Sequence, residues 1–194
     1  MTVTTDAAPR PQRGPAVRDA IVDAAATLFS EHGIRAVSAD RILAEAGFSK
    51  VTFYRHFPSK DDVVVAYLER ELAYVRGVIA AGAGEHVDLD ALASALVDEM
   101  CRPSFRGCPF INAAAEYPEA GHPVRAVVAE FRALMVGAID AWLARQGVED
   151  RGRMAEQIMM LRDGALVAGY LDGDPDAVSA ALADGLRALV GGAR

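Results

Sequence analysis

Apolar side chains recur at every third or fourth position along most of this chain, the signature of helices that bury one face. Val17, Ile21, Ala24 and Leu28 form the first such stripe, and Gly33 stops it. Pro15 suits the first turn of that helix, where its missing N–H has no partner to lose. Ser38 is placed to cap a short second helix with Ile42 and Leu43 inward, and Gly47 supplies a left-handed stop. Ser49 caps a third helix, Lys50–Phe57, halted by Pro58; Val51 and Phe53 are expected on its core side. Ser59 caps a fourth, in which Asp61 and Asp62 complement the positive end of the helix dipole. Val65, Leu68, Leu72, Val75 and Ile79 carry it to about residue 80.

The same period continues beyond a Gly/Ala stretch at Ala80–Gly84. Asp88 is expected to cap a helix with Leu89, Leu92, Leu96 and Met100 on one face, ended by Pro103. A short helix follows Pro109 as far as Pro118. A long one, Pro123–Gln146, turns Val127, Phe131, Leu134, Met135, Ile139 and Trp142 inward and stops at Gly147. Asp150 opens the next, with Met154, Ile158, Leu161, Ala165 and Ala168 inward, up to Gly173. Asp174-Pro175 starts the last, with Val178, Ala181, Leu182, Leu186 and Leu189 facing in. No segment alternates as a strand would. The expected fold is all-α, with about nine helices, and residues 1–14, rich in Thr, Ala and Pro, read as a flexible arm.

With 194 residues, 52% of them hydrophobic, the chain can bury a sizeable core. Two cysteines exclude a disulfide framework, and no uncharged apolar run reaches the ~18 residues of a membrane helix. Met1–Arg13 lack the apolar stretch of a signal peptide, so the expected location is the cytoplasm. A net charge of −7 speaks at first against a polyanionic partner, but its distribution reverses that inference. Residues 1–70 carry 9 basic and 9 acidic groups, whereas the remainder carries 11 against 18. Within Gly33–Lys60, Arg35, Arg41, Lys50, Arg55 and Lys60 face only Asp40 and Glu45, and both lysines of the protein lie there. An acidic body with one locally positive segment can offer that face alone to phosphates.

The second and third helices, joined by Gly47-Phe48-Ser49, have the organisation of a helix-turn-helix. Lys50, Thr52, Tyr54, Arg55 and His56 crowd hydrogen-bonding groups onto one very short helix. Side chains of this length suit phosphate oxygens and base edges, and a major groove is wide enough to admit one helix. Ser38 and Ser49 set helix N-termini where phosphates could dock. A polar helix face in a bundle would share the charge, but not the turn chemistry and the helix lengths as well.

Phe29-Ser30-Glu31-His32-Gly33, followed by the run Gly47 to Lys60 (GFSKVTFYRHFPSK), resembles the TetR family of one-component transcriptional regulators over roughly residues 16–75. The resemblance implies a three-helix DNA-binding domain over 15–75 (helix-turn-helix about 38–57) and a larger helical domain over 76–194 that binds a small molecule and dimerises. By position, Thr52, Tyr54, His56 and Lys60 fall where family members touch DNA, and Lys50 falls at a common base- or phosphate-contacting position. Ser38 matches a phosphate contact, while Phe53 and Phe57 match core positions. Two residues depart from the pattern: Val51 is bulkier than the small residue often found there, and Leu43 replaces an alanine.

The implied partners are double-stranded operator DNA, an unidentified small-molecule effector and a second copy of the chain. Small residues in the last two helices (Ala165, Ala168, Gly169, Ala181, Gly185, Ala188), with Leu161, Leu182, Leu186 and Leu189, offer a dimer face within 150–190, although the same residues would serve a monomer core. Apolar candidates for an effector pocket are Met100, Phe105, Phe110, Met135, Trp142 and Met159, with Asn112, Glu116, His122 and Arg162 as polar contacts. Met and aromatic residues at helical spacing are also ordinary core residues. Cys101 and Cys108 match no zinc spacing and are expected to be inert buried thiols. No cofactor or metal site is expected, and no catalytic motif occurs. Two other readings stay open from residues alone: a small helical enzyme using Glu116 and His122, and a helical interaction module without a DNA role.

Overall fold

Described residues of the computed structural model are 14–82, 93, 94, 96, 98, 100, 101, 105–172 and 174–191. Every regular element among them is helical. In chain order these are α1 (Gly14–His32), α2 (Ala39–Ala46), α3 (Lys50–His56), α4 (Lys60–Gly82), α5 (Pro109–Glu116), α6 (Pro123–Arg145), α7 (Arg151–Asp172) and α8 (Pro175–Gly191). Residues 93, 94, 96, 98 and 100 are also helical, where a further helix was expected. The arm up to Arg13, the Asp88 cap, Leu89, Leu92 and Pro103 lie outside the described residues. No helix among the described residues is long and apolar enough to cross a membrane.

The expected punctuation operates as local chemistry dictates. Gly47 adopts φ 71° and its N–H bonds Leu43 O, closing α2 in a conformation that costs a residue with a Cβ appreciably more. Ser38 Oγ accepts from Arg41 N–H, and Ser49 Oγ from Thr52 N–H. At α4 the cap is reciprocal: Ser59 Oγ accepts from Asp62 N–H at 3.2 Å, while Asp62 Oδ2 accepts from Ser59 N–H at 2.8 Å. This is a capping box with Asp in the usual Glu position.

Two apolar clusters hold the molecule together. The larger runs without interruption from Val17, Ile21 and Leu28 of α1 through Phe53 and Phe57 to Leu68 and Leu72 of α4, and on to Phe110, Phe131 and Met159. The helix-turn-helix and the body therefore share one core. The second cluster fills the far end of α6–α8 around Trp142, Leu143, Ile158, Leu182 and Leu186.

Three expectations need correction. Val51 does not face the core: it is 71% exposed, because two residues along a helix from buried Phe53 is a rotation of about 200°. Cys101 is exposed and only Cys108 is buried, both as free thiols. The small-residue face on the last two helices is largely internal. Ala165, Leu182 and Leu186 are buried in the protomer, a side chain at Gly169 would collide with Met100, and Gly185 packs on Leu161. What α7 leaves outside is a different stripe, Met160, Gly164, Val167 and Leu171, while on α8 Ala181 and Ala188 are exposed.

Candidate nucleic-acid interface and its link to the body

The outward face of α3 is set by what its inward face buries. Phe53 is fully buried and Phe57 nearly so, with ring centroids 6.2 Å apart, and the Arg18 guanidinium lies 4.9 Å from the Phe57 ring. With that side anchored, helical geometry turns Lys50, Val51, Tyr54 and Arg55 to solvent, all four exposed, with Thr52 and His56 half-buried at the flanks. Tyr54 stands edge-on to Phe53, centroids 5.2 Å apart, so its ring is braced while its hydroxyl end is free to reach outward.

The polar groups of this face are lightly committed. Lys50 Nζ lies 3.4 Å from Asp40 Oδ1 with both side chains more than two-thirds exposed, a pairing that water screens almost completely. Ser49 Oγ and Thr52 Oγ1 are 3.0 Å apart, so both hydroxyls are engaged in the cap. Arg41 Nη2 is 2.5 Å from His32 Nε2, which steers the Arg41 side chain toward the end of α1.

Lys60 is the sequence-predicted contact that departs from this face. Its Nζ donates to Ile34 O at 2.7 Å in a half-buried position, tying the α1–α2 turn to the start of α4. Burial holds its pKa below the ordinary lysine value, against the opposing pull of Asp61 and Glu116. Lys60 thus braces the helix-turn-helix.

Beside it lies a group of cross-links that sequence reading missed. Asp61 accepts from Tyr117 Oη–H at 2.7 Å on Oδ1 and pairs with His122 Nε2 at 3.3 Å on Oδ2. His122 Nδ1 accepts from Val124 N–H, which leaves Nε2 as the nitrogen that carries the proton toward Asp61. Burial, with the Asp61 carboxylate accepting its proton, pushes the Tyr117 phenol well above its ordinary range. Arg35 Nη2 donates to Glu116 O at 3.0 Å, and Arg106 Nη1 to Glu31 O at 2.7 Å. These bonds fasten the last turn of α1, the turn after it and the first turn of α4 to α5 and the segments flanking it.

The expected effector residues do not converge on one cavity. Phe105, Asn112 and Glu116 line a cleft of about 310 Å³ between the end of α1, α4 and α5. Phe110 lines a second, shallower one of about 500 Å³ with Phe131, Arg132 and Val167. Phe110 and Phe131 stack with centroids 3.9 Å apart, and Arg162 sits over Phe131. Met100, Trp142 and Met159 are buried core residues, Met135 is half-buried against the larger cluster, and His122 is held by Asp61. No group of three His, Cys, Asp or Glu among the described residues could hold a metal ion.

Residues 21–67 match the family model described as bacterial regulatory proteins, tetR family. Over nearly its whole length the chain is similar to SCO4454, a TetR-family transcriptional regulator from Streptomyces coelicolor. The two are 36% identical, with TM-score 0.84 over 92% of this chain and 96% of that one. A TetR-family regulator from Agrobacterium tumefaciens, 22% identical with TM-score 0.77 over 89% of this chain and 96% of its own, shares the fold. The HTH-type transcriptional repressor KstR2 of Rhodococcus jostii (strain RHA1) is 34% identical over 79 residues, about 39% of each chain. The match thus spans well under half of that curated relative.

Proposed function

The chain belongs to the TetR family of transcriptional regulators, and from that premise we propose that it is a repressor that binds a palindromic operator as a homodimer and leaves it when a small hydrophobic ligand binds. The observation that carries this reading is the outward face of α3, where Lys50, Val51, Tyr54 and Arg55 stand exposed over buried Phe53. Lys50 and Arg55 supply charge for phosphates or guanine edges, and the Tyr54 hydroxyl supplies a donor. Val51 adds an apolar contact of the kind that reads a thymine methyl. Thr52 and His56 flank this face, and Ser38 sets the start of α2 toward the backbone; Ser49 and Lys60 serve by holding α3 and its turn in place.

One short helix makes few base contacts, so specificity favours two copies on half-sites about 34 Å apart. The stripe Met160, Gly164, Val167 and Leu171 supports pairing through α7, with Ala181 and Ala188 of α8 permitting close approach. Residues 15–75 then act as the DNA-binding part and 76–194 as the effector and dimer part, in the cytoplasm. The shared core and the Asp61, Arg35 and Arg106 cross-links support the coupling, because a shift of α5 or α6 must move the turn after α1 and the start of α4.

Footprinting of the DNA upstream of the protein's own gene tests the reading. Protection of two symmetric half-sites, lost in a Lys50→Ala/Arg55→Ala variant, is the expected result. Absence of any protected palindrome with folded protein overturns it.

A further inference from the structure

The cleft between α5, α6 and α7 holds a guanidinium without a counter-charge. Arg125 lines it and is half-buried, and its side chain has one partner among the described residues, the main-chain carbonyl of Ala114, to which Nη1 donates at 3.0 Å. That bond uses a single N–H and sets a full charge against a carbonyl dipole, so most of the guanidinium's donors remain uncommitted. The neighbouring arginines differ. Arg132 Nη1 and Arg162 Nη1 hold the two oxygens of Asp163 at 2.7 and 3.0 Å, and Asp163 is the one carboxylate among the described residues lining the cleft. Three guanidiniums against that one carboxylate leave the place positive by two, on a chain whose net charge is −7.

The rest of the cleft is apolar. Stacked Phe110 and Phe131 form its buried floor, and Ile111, Val128 and Val167 its walls, around a volume of about 500 Å³ that suits a small molecule. Arg125, Val128 and Arg132 follow one another at spacings of three and four along α6, so the uncompensated charge stands about 10 Å of helix away from the compensated one, with hydrocarbon between. Gly164 and Val167 at the rim belong to the stripe assigned above to pairing, and in that dimer the partner's apolar stripe would roof the mouth. A wholly apolar occupant would leave Arg125 without a counter-charge, and an ammonium would meet an excess of positive charge. A carboxylate matches the guanidinium fork with parallel N–H···O bonds.

We propose that this cleft takes an apolar organic acid as its carboxylate, the anion on Arg125 and the hydrocarbon along Val128 over the Phe110–Phe131 floor. The proposal names the effector class for the regulator described above, and so rests on that reading. The location gives the acid leverage on the DNA-binding part. Arg125 holds the Ala114 carbonyl in the last turn of α5, and Arg35, from the turn after α1, holds the Glu116 carbonyl in that same turn. A carboxylate that draws Arg125 off Ala114 O therefore loosens the helix end to which the helix-turn-helix is fastened.

Calorimetric titration of the full chain at neutral pH with 2-naphthylacetate, 2-(2-naphthyl)ethanol and 2-(2-naphthyl)ethylammonium tests the proposal, with operator binding measured on the same preparation. The acid is expected to bind at least about tenfold more tightly than the alcohol, as a charge-assisted bond exceeds a neutral one, and the ammonium most weakly. Arg125→Gln, which keeps an N–H for Ala114 O, should abolish the preference for acid over alcohol. Should that variant misfold, the ranking of the three probes on the natural chain decides alone. Tighter binding of the ammonium, an undiminished preference in folded Arg125→Gln, or no binding of the acid, as when a second copy's side chain fills the cleft, overturns the acid site; where the same protein binds its operator, the regulator stands. Preferred acid binding by protein that binds no operator supports the site and overturns the regulator.

Discussion

Adjacent residues of α3 should fail in opposite ways. Phe53 is fully buried between Phe57 and the braced ring of Tyr54, whereas Tyr54 is 42% exposed. Truncating a buried phenylalanine to alanine costs about 3–5 kcal/mol, a large part of the ~5–15 kcal/mol that stabilises a typical domain. For a chain of this size each kcal/mol moves Tm by about 2–4 °C, so Phe53→Ala should lower it by roughly 6–20 °C. Tyr54→Ala loses only the edge contact with Phe53, about 0.5–1.5 kcal/mol, and should shift Tm by a few degrees at most. On upstream DNA the order reverses for folded protein, with Tyr54→Ala losing about 1–3 kcal/mol of binding, the worth of a good base contact. Calorimetric melting and fluorescence anisotropy on the same samples provide the two readings. A Tyr54→Ala variant that melts as early as Phe53→Ala, or one that binds DNA as well as the natural chain, would refute the assignment of inner and outer faces.

Gly47→Ala isolates backbone strain. A Cβ there meets nothing within 4 Å, yet φ is 71°, so the cost should be about 1–2 kcal/mol, read as a lower urea midpoint at unchanged m-value. Tyr117→Phe removes the Asp61 bond and should cost about 1 kcal/mol at neutral pH, since Asp61 is half exposed. The folded phenol is held above its unfolded pKa of about 10, so its contribution is complete below that pH and is lost as pH rises through the alkaline range. Lys60, depressed by burial, gives the opposite slope just below its ordinary pKa in both proteins. The difference between variant and natural stability should therefore shrink above about pH 10, and a constant difference in alkaline urea titrations would contradict the Tyr117 assignment. Leu171→Asp, at a side chain 71% exposed, should leave the melting of the isolated chain unchanged and halve the mass measured by light scattering; an unchanged mass would place the dimer face elsewhere.

The elements most legible in the chain were those whose causes are local. Ser49, Gly47 and Phe53 act within four residues of themselves, and their cap, stop and burial follow from that spacing. Asp61 was readable as a favourable charge in the first turn of α4 but not as the partner of Tyr117 and His122, because those contacts span 56 and 61 residues and no local pattern encodes them. Lys60 entered as a DNA contact through its match to family positions, and that match says nothing of its bond to Ile34 O, which joins residues 26 apart and exists only in the fold. Val51 was misread for want of one rotation: its position relative to Phe53 already puts it on the opposite side. On α7, apolar residues occur all round the helix, so periodicity could not separate the side facing the protomer core (Ala155, Met159, Leu166) from the exposed stripe at Met160, Val167 and Leu171.

The central claim is that α3 reads operator DNA in pairs. The most direct measurement is an anisotropy titration of the natural chain at physiological salt, with the upstream fragment and a scrambled fragment of equal length. The account predicts saturation at two chains per palindrome and affinity for the upstream fragment about 10³-fold or more above the scrambled one. Equal affinity for the two fragments, or saturation by one chain, would contradict it.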